Sequence, residues 1–139
     1  MYKAFILLFF AFAYSISIKA QSSAGIVVIP PNDSVYSVVD SMPRFPGGND
    51  QFTLFIAKNI RYPLSCRLRG IQGRVFVQMI IEKDGSILNP IVIRSVDKDL
   101  DLEAIRVIKT SPKWAPALVA GTPVRMYYTI PISFYMSVR

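Results

Sequence analysis

The sequence predicts an α+β fold: a three-stranded antiparallel sheet in spatial order 2-1-3 with two helices packed on one face. Three stretches of period-two alternation supply the strands, and an Asp-Gly turn joins the first two. Two stretches with apolar residues three and four apart, one before the hairpin and one after it, supply the helices.

The first helix covers about residues 49–60. Phe52, Phe55, Ile56 and Ile60 share one face, Gly48 or Asn49 can cap the start, and Asp50 suits the positive end of the helix dipole. Pro63 stops continuation past Tyr62. Over residues 74–82 the period becomes two, with Val75, Val77, Met79 and Ile81 on one side and Phe76, Gln78, Ile80 and Glu82 on the other. Asp84-Gly85 supplies the positive backbone angles of a tight hairpin, so residues 87–95 return antiparallel. Pro90 cannot donate a ladder hydrogen bond and puts that strand at an edge.

Asp97, Asp99, Asp101 and Glu103 gather negative charge at the start of the second helix. Its apolar face is Leu100, Ala104, Val107 and Ile108, and it ends before Pro112. The last segment alternates Val124, Met126, Tyr128, Ile130, Ile132, Phe134 and Met136 with Arg125, Tyr127, Thr129, Ser133 and Tyr135. A hairpin followed by a helical crossover is satisfied most simply if this third strand pairs with the first by a right-handed connection. Both helices then bury the face carrying Val75, Met79 and Ile130, leaving a more polar, tyrosine-bearing face in water.

The 139 residues suit one compact domain with a short extension. Residues 1–20 have the plan of a signal peptide: Lys3, an uncharged stretch over 4–18, and a small Ala20 before Gln21. As a helix that stretch spans roughly 22 Å, short of the roughly 30 Å apolar core of a bilayer, so export with cleavage is expected. An anchor formed by residues 4–18 is the alternative. Residues 21–41, with Pro30-Pro31 and no sustained periodicity, are expected to be a short linker of at most roughly 70 Å. Residues 42–139 form the domain.

Lys and Arg outnumber Asp and Glu by 16 to 9. The cluster Arg61, Arg67, Arg69 and Arg74 reads as a solvated face, and without base-stacking aromatics or a reading motif no nucleic acid is expected. Cys66 is the single cysteine, so no disulfide forms within the chain, and with no histidine it lacks the usual base of a catalytic thiol. No ligand cluster has metal-site spacing. Asp97, Asp99 and Asp101 lack the glycine and terminal glutamate of a calcium loop and read as helix capping. Gly47-Gly48 and Gly70-Ile71-Gln72-Gly73 lack the lysine-serine ending of a phosphate loop and read as turns. The expectation is therefore no catalytic residue, no metal and no cofactor. What remains is the sheet edge, whose backbone groups can accept a peptide as an added strand, or whose prolines, Pro90 and Pro131, serve only to prevent aggregation.

Eight short motifs then occur in one order over about 95 residues. They are Met42-Pro43-Arg44-Phe45-Pro46-Gly47-Gly48, Asn59-Ile60-Arg61-Tyr62-Pro63, Gly70-Ile71-Gln72-Gly73-Arg74-Val75 and Glu82-Lys83-Asp84-Gly85-Ser86-Ile87, followed by Arg94-Ser95-Val96-Asp97, Leu100-Asp101-Leu102-Glu103-Ala104-Ile105, Lys113-Trp114-Ala115-Pro116 and Tyr128-Thr129-Ile130-Pro131-Ile132-Ser133-Phe134. Together they resemble TonB carboxy-terminal domains, in the form common to Bacteroidetes-type envelope proteins.

The resemblance implies a periplasmic module that engages the TonB box, a short segment of TonB-dependent outer-membrane transporters, by adding it as a strand. Carried over residue by residue, the contacts are Asn59, Arg61 and Tyr62 near the Tyr-Pro motif and Arg125, Tyr127, Thr129, Pro131 and Ser133 on the last strand. Tyr62, Pro63, Trp114 and Pro116 have packing as their other reading. A full-length TonB also carries a retained inner-membrane helix coupled to ExbB and ExbD and a long proline-rich spacer. Here the apolar stretch is short and the linker compact, so ExbB and ExbD are partners only if the N-terminal segment is retained. The alternative is a structural or regulatory cell-envelope interaction domain outside energy transduction, and a homodimer formed by strand exchange stays open.

Overall fold

The computed structural model describes residues 34–137. The expected signal peptide and the linker up to residue 33 lie outside the described residues. The elements are β1 (Val35–Tyr36), α1 (Asn49–Asn59), α2 (Leu64–Leu68), β2 (Gly73–Ile81), β3 (Ile87–Arg94), α3 (Lys98–Lys109), β4 (Ala117–Val119) and β5 (Thr122–Phe134).

The α+β class and the central arrangement are those expected. β2 lies between β3 and β5 and is antiparallel to both, with Val75 opposite Ile132 and Val77 opposite both Ile130 and Val92. The strand count differs. The sheet has five strands and is mixed, in order β1-β5-β2-β3 with β4 paired to β5. β1 runs parallel to β5, pairing Val35 with Arg125 and Tyr36 with Met126, and β4 forms a hairpin with the start of β5. The additional strands are two and three residues long, too short to show a period. The β4–β5 turn is made by Ala120 and Gly121, both at positive φ (49° and 75°), and alanine there is a weak turn signal. Residues ahead of α1, within the stretch expected as linker, are held in place: Leu118 N–H donates to Ser41 O at 3.0 Å, and the Asp40 carboxylate accepts from Ala120 N–H at 2.8 Å.

There are three helices rather than two, and the expected pair share one core unequally. α3 packs on β2 and β3 and buries Leu100, Ala104, Val107 and Ile108 against Val75, Val77, Met79 and Ile81. α1 buries none of its residues fully. Its Phe52 and Phe55 rings meet Phe45 at 5.4 Å each, and Phe52 meets Trp114 at 5.4 Å, so α1 closes an aromatic cluster at the flank. The Phe45–Phe52 and Phe52–Trp114 pairs are edge-to-face, an arrangement that adds about 0.5–1.5 kcal/mol per pair beyond burial. α2 is a third helix of five residues starting after Pro63, a proline that both follows α1 and opens the next turn.

Several sequence motifs find their reason in this packing. Arg44 and Ala115 exchange backbone hydrogen bonds at 3.0 and 2.8 Å, fastening the Met42–Gly48 motif to the Trp114 segment. Trp114 N–H donates to Gly85 O at 2.9 Å. A Cβ on Gly85 would sit 1.7 Å from the Trp114 carbonyl oxygen, and Gly85 also has φ 85°, so the turn excludes any other residue.

Candidate partner-binding edge

The alternation of β5 buries Ile130, Ile132 and Phe134 and exposes Tyr127, Thr129, Pro131 and Ser133. On the side away from β2, β1 covers only Arg125 and Met126. Among the described residues no further strand pairs there, so residues 127–134 form a strand edge about 25 Å long. Alongside its far half, Phe52, Ile56 and Ala57 of α1, with Ile60, face Pro131 and Ser133 across a groove of about 260 Å³.

The Tyr-Pro segment closes that end of the groove and is tightly held. Glu103, buried on α3, accepts the Arg61 backbone N–H at 2.6 Å and is gripped by Arg106 at 2.8 and 2.7 Å. Arg106 also donates to Asn59 O at 2.6 Å. Burial raises the Glu103 pKa, but Arg106 and the Arg61 N–H outweigh it and hold the carboxyl below its ordinary value. Tyr62 donates its hydroxyl to Ile71 O and sets its ring edge-on to Phe134 at 5.8 Å.

The expected contact residues therefore divide. Thr129, Pro131 and Ser133 line the open edge, with Tyr127 at its start. Ile60, between Asn59 and Arg61, reaches the groove, and the exposed Arg61 side chain forms no ion pair among the described residues. The Tyr62 ring is half-buried and its hydroxyl is committed inside the domain. Arg125 lies at the other end, under β1, with its guanidinium on Glu82 at 3.0 Å. Glu103 and Arg106 escaped the sequence reading because an acid in the first turns of a helix reads as dipole compensation. Their spacing of three on one helix was the signal available.

Cys66, Asp97 and Asp99 bring three ligand-type atoms within 4.8 Å. Each is already engaged. The Cys66 thiol donates to Asp97 Oδ1 at 3.1 Å, Asp97 caps α3 by accepting from Asp99 N–H at 2.9 Å, Arg69 pairs with Asp97 at 3.2 Å, and Ser65 donates to Asp99. Burial pushes the thiol pKa up, whereas the thiol hydrogen bond lowers that of Asp97. The cluster ties α2 to the start of α3.

The described residues thus present an open strand edge beside an apolar groove. Residues 58–136 match the family model for the Gram-negative bacterial TonB protein C-terminal domain, and the chain belongs to that family. Two solved structures are similar to it, both of Helicobacter pylori TonB-CTD in solution. That of residues 194–285 is 26% identical, covering 62% of this chain and 90% of its own, with a TM-score of 0.49. That of residues 179–285 is 25% identical, covering 68% and 89%, with a TM-score of 0.48. No curated protein matches the chain. Domains of this family are non-enzymatic interaction modules of the cell envelope that act with TonB-dependent transporters. Among the described residues, no helix is long and apolar enough to cross a membrane.

Proposed function

We propose that the chain is a periplasmic protein-binding module of TonB-dependent outer-membrane transport, one that takes up the TonB box of a transporter as an added strand. The box pairs with the outer edge of β5 over residues 127–134, and its apolar side chains enter the groove between α1 and Pro131. The carrying observation is that, among the described residues, no strand pairs with this edge after Met126. Glu103 and Arg106 support the reading by fixing the 59–62 backbone at the end of the groove, so little ordering is needed on binding. Pro131 has no N–H, so pairing passes it with one donor fewer. Export and signal-peptide cleavage near Gln21 place the module in the periplasm.

Fluorescence anisotropy with a labelled TonB-box peptide from a transporter of the same organism, titrated with the full chain, tests this. Saturable binding, lost when the peptide carries prolines at alternate positions, is expected. Equal binding of a scrambled peptide, or none, contradicts it and favours a structural envelope role.

A further inference from the structure

The sheet face opposite α3 is more apolar than its sequence suggested. Cross-strand partners share a face, and the register aligns Leu88, Ile80 and Tyr127 in one row across β3, β2 and β5. Ile91, Gln78 and Thr129 make the next row, and Arg94, Phe76 and Pro131 the third. Ile91 is 53% exposed, Tyr127 44% and Leu88 39%. No described helix covers them.

The face has a hollow at each end. Around the irregular β3 residues Asn89 and Pro90, with Asn89 at φ 48°, a depression of about 690 Å³ is lined by Ile80, Ile91 and Tyr127, with Gln78 beside them and Lys109 of α3 at its margin. At the other end a hollow of about 550 Å³ is lined by Arg74, Phe76, Arg94 and Tyr135. Arg94 stacks over the Phe76 ring at 5.6 Å. Neither Arg74 nor Arg94 has an ion-pair partner among the described residues.

We infer that this face docks an amphipathic helix of a partner protein, with apolar residues over Ile80 and Ile91 and acidic residues over Arg74 and Arg94. Three strands make a surface about 10 Å wide, the diameter of one helix, and the three rows make it about 13 Å long between the first and the last. Phe76 and Ile80 lie about 13 Å apart along β2, roughly nine residues of helix, which sets the spacing between the partner's acidic end and its apolar anchor. Charge complementarity selects the occupant. A second copy of this face offers no free acid, because Glu82 at its far end is held by Arg125. A bilayer is entered by protruding apolar faces, whereas this face is hollowed at both ends to receive side chains.

The face shares Tyr127, Thr129 and Pro131 with β5, but Arg74, Ile80, Ile91 and Arg94 lie on β2 and β3 and take no part in strand addition at the β5 edge. The test is titration of the isotope-labelled full chain with a synthetic helical peptide of leucines and glutamates. Amide shifts at Phe76, Ile80 and Ile91 are expected, with affinity reduced about threefold by Arg94→Glu, the size of one exposed charge pair. A peptide with lysine for glutamate should bind less well, and Ile91→Ser should weaken the acidic peptide while leaving TonB-box binding unchanged. Equal binding of both peptides, shifts confined to residues 127–134, or binding of phosphatidylglycerol vesicles but not of the acidic peptide would overturn the assignment.

Discussion

The Glu103 carboxylate accepts the backbone N–H of Arg61 at 2.6 Å across 42 residues of chain, and so joins α3 to the Tyr-Pro segment at the end of the groove. Removing it strands both that N–H and Arg106. Glu103→Ala should cost about 2 kcal/mol, the scale of lost hydrogen bonds to a buried charge, and lower Tm by about 10 °C. Thermal unfolding followed by circular dichroism checks this. The folded-state pKa of Glu103 lies below its ordinary 4.5. Its contribution is therefore full above that value and disappears as pH falls through the lower folded pKa. In Glu103→Ala this part of the acid sensitivity should be missing.

Gly85→Ala should destabilise by about 3 kcal/mol, because the added Cβ meets the Trp114 carbonyl and the residue needs positive φ. The neighbouring Asp84 accepts from Ser86 and from Lys113, which hold its pKa at about 2 against an ordinary 3.8. Its contribution is thus complete above 3.8 and lost as pH falls towards 2. Asp84→Asn should flatten the stability curve in that window, as urea midpoints at successive pH values would register.

Cys66 is fully buried, and its thiol is held protonated by burial and by Asp97. A thiol reagent at pH 8 should leave the folded chain unmodified and label it completely in denaturant. Fast labelling of the native chain would contradict the buried latch between α2 and α3.

Backbone pairing makes the β5 edge insensitive to exposed side chains and sensitive to proline. Thr129→Ala should leave TonB-box affinity within about twofold, whereas Thr129→Pro removes a donor or distorts the strand and should weaken it tenfold or more. Titration calorimetry on the two variants distinguishes them.

The mature chain is expected to begin near Gln21. Intact-mass measurement of protein recovered from the periplasm decides this, and a membrane-embedded chain still carrying Met1 would restore the anchored, energy-transducing alternative.

Long periodic segments were legible in the sequence. Val75 to Ile81 and Ile130 to Phe134 bury alternate residues as their pattern requires, and Asp84-Gly85 turns the hairpin. β1, β4 and α2 were not, because two to five residues carry no period and their positions are set by tertiary pairing to β5 and by Pro63. The apolar character of the open face was visible only once the β3 irregularities fixed which of Ile91, Val92 and Ile93 faces solvent with Phe76 and Ile80. Of the residues expected as contacts, the exposure of Thr129 and Ser133 needed only alternation. The engagement of Tyr62 and Arg125 with Ile71 and Glu82 involves partners 9 and 43 residues away, which local pattern does not encode.

Amide-shift mapping of the isotope-labelled full chain with an unlabelled TonB-box peptide tests the central claim most directly. Shifts should run along residues 127–134 and into Ile56, Ile60 and Arg61, with new protection from exchange at β5 amides that face away from β2. Shifts confined to β3, or no shift with any TonB box of the same organism, would contradict it.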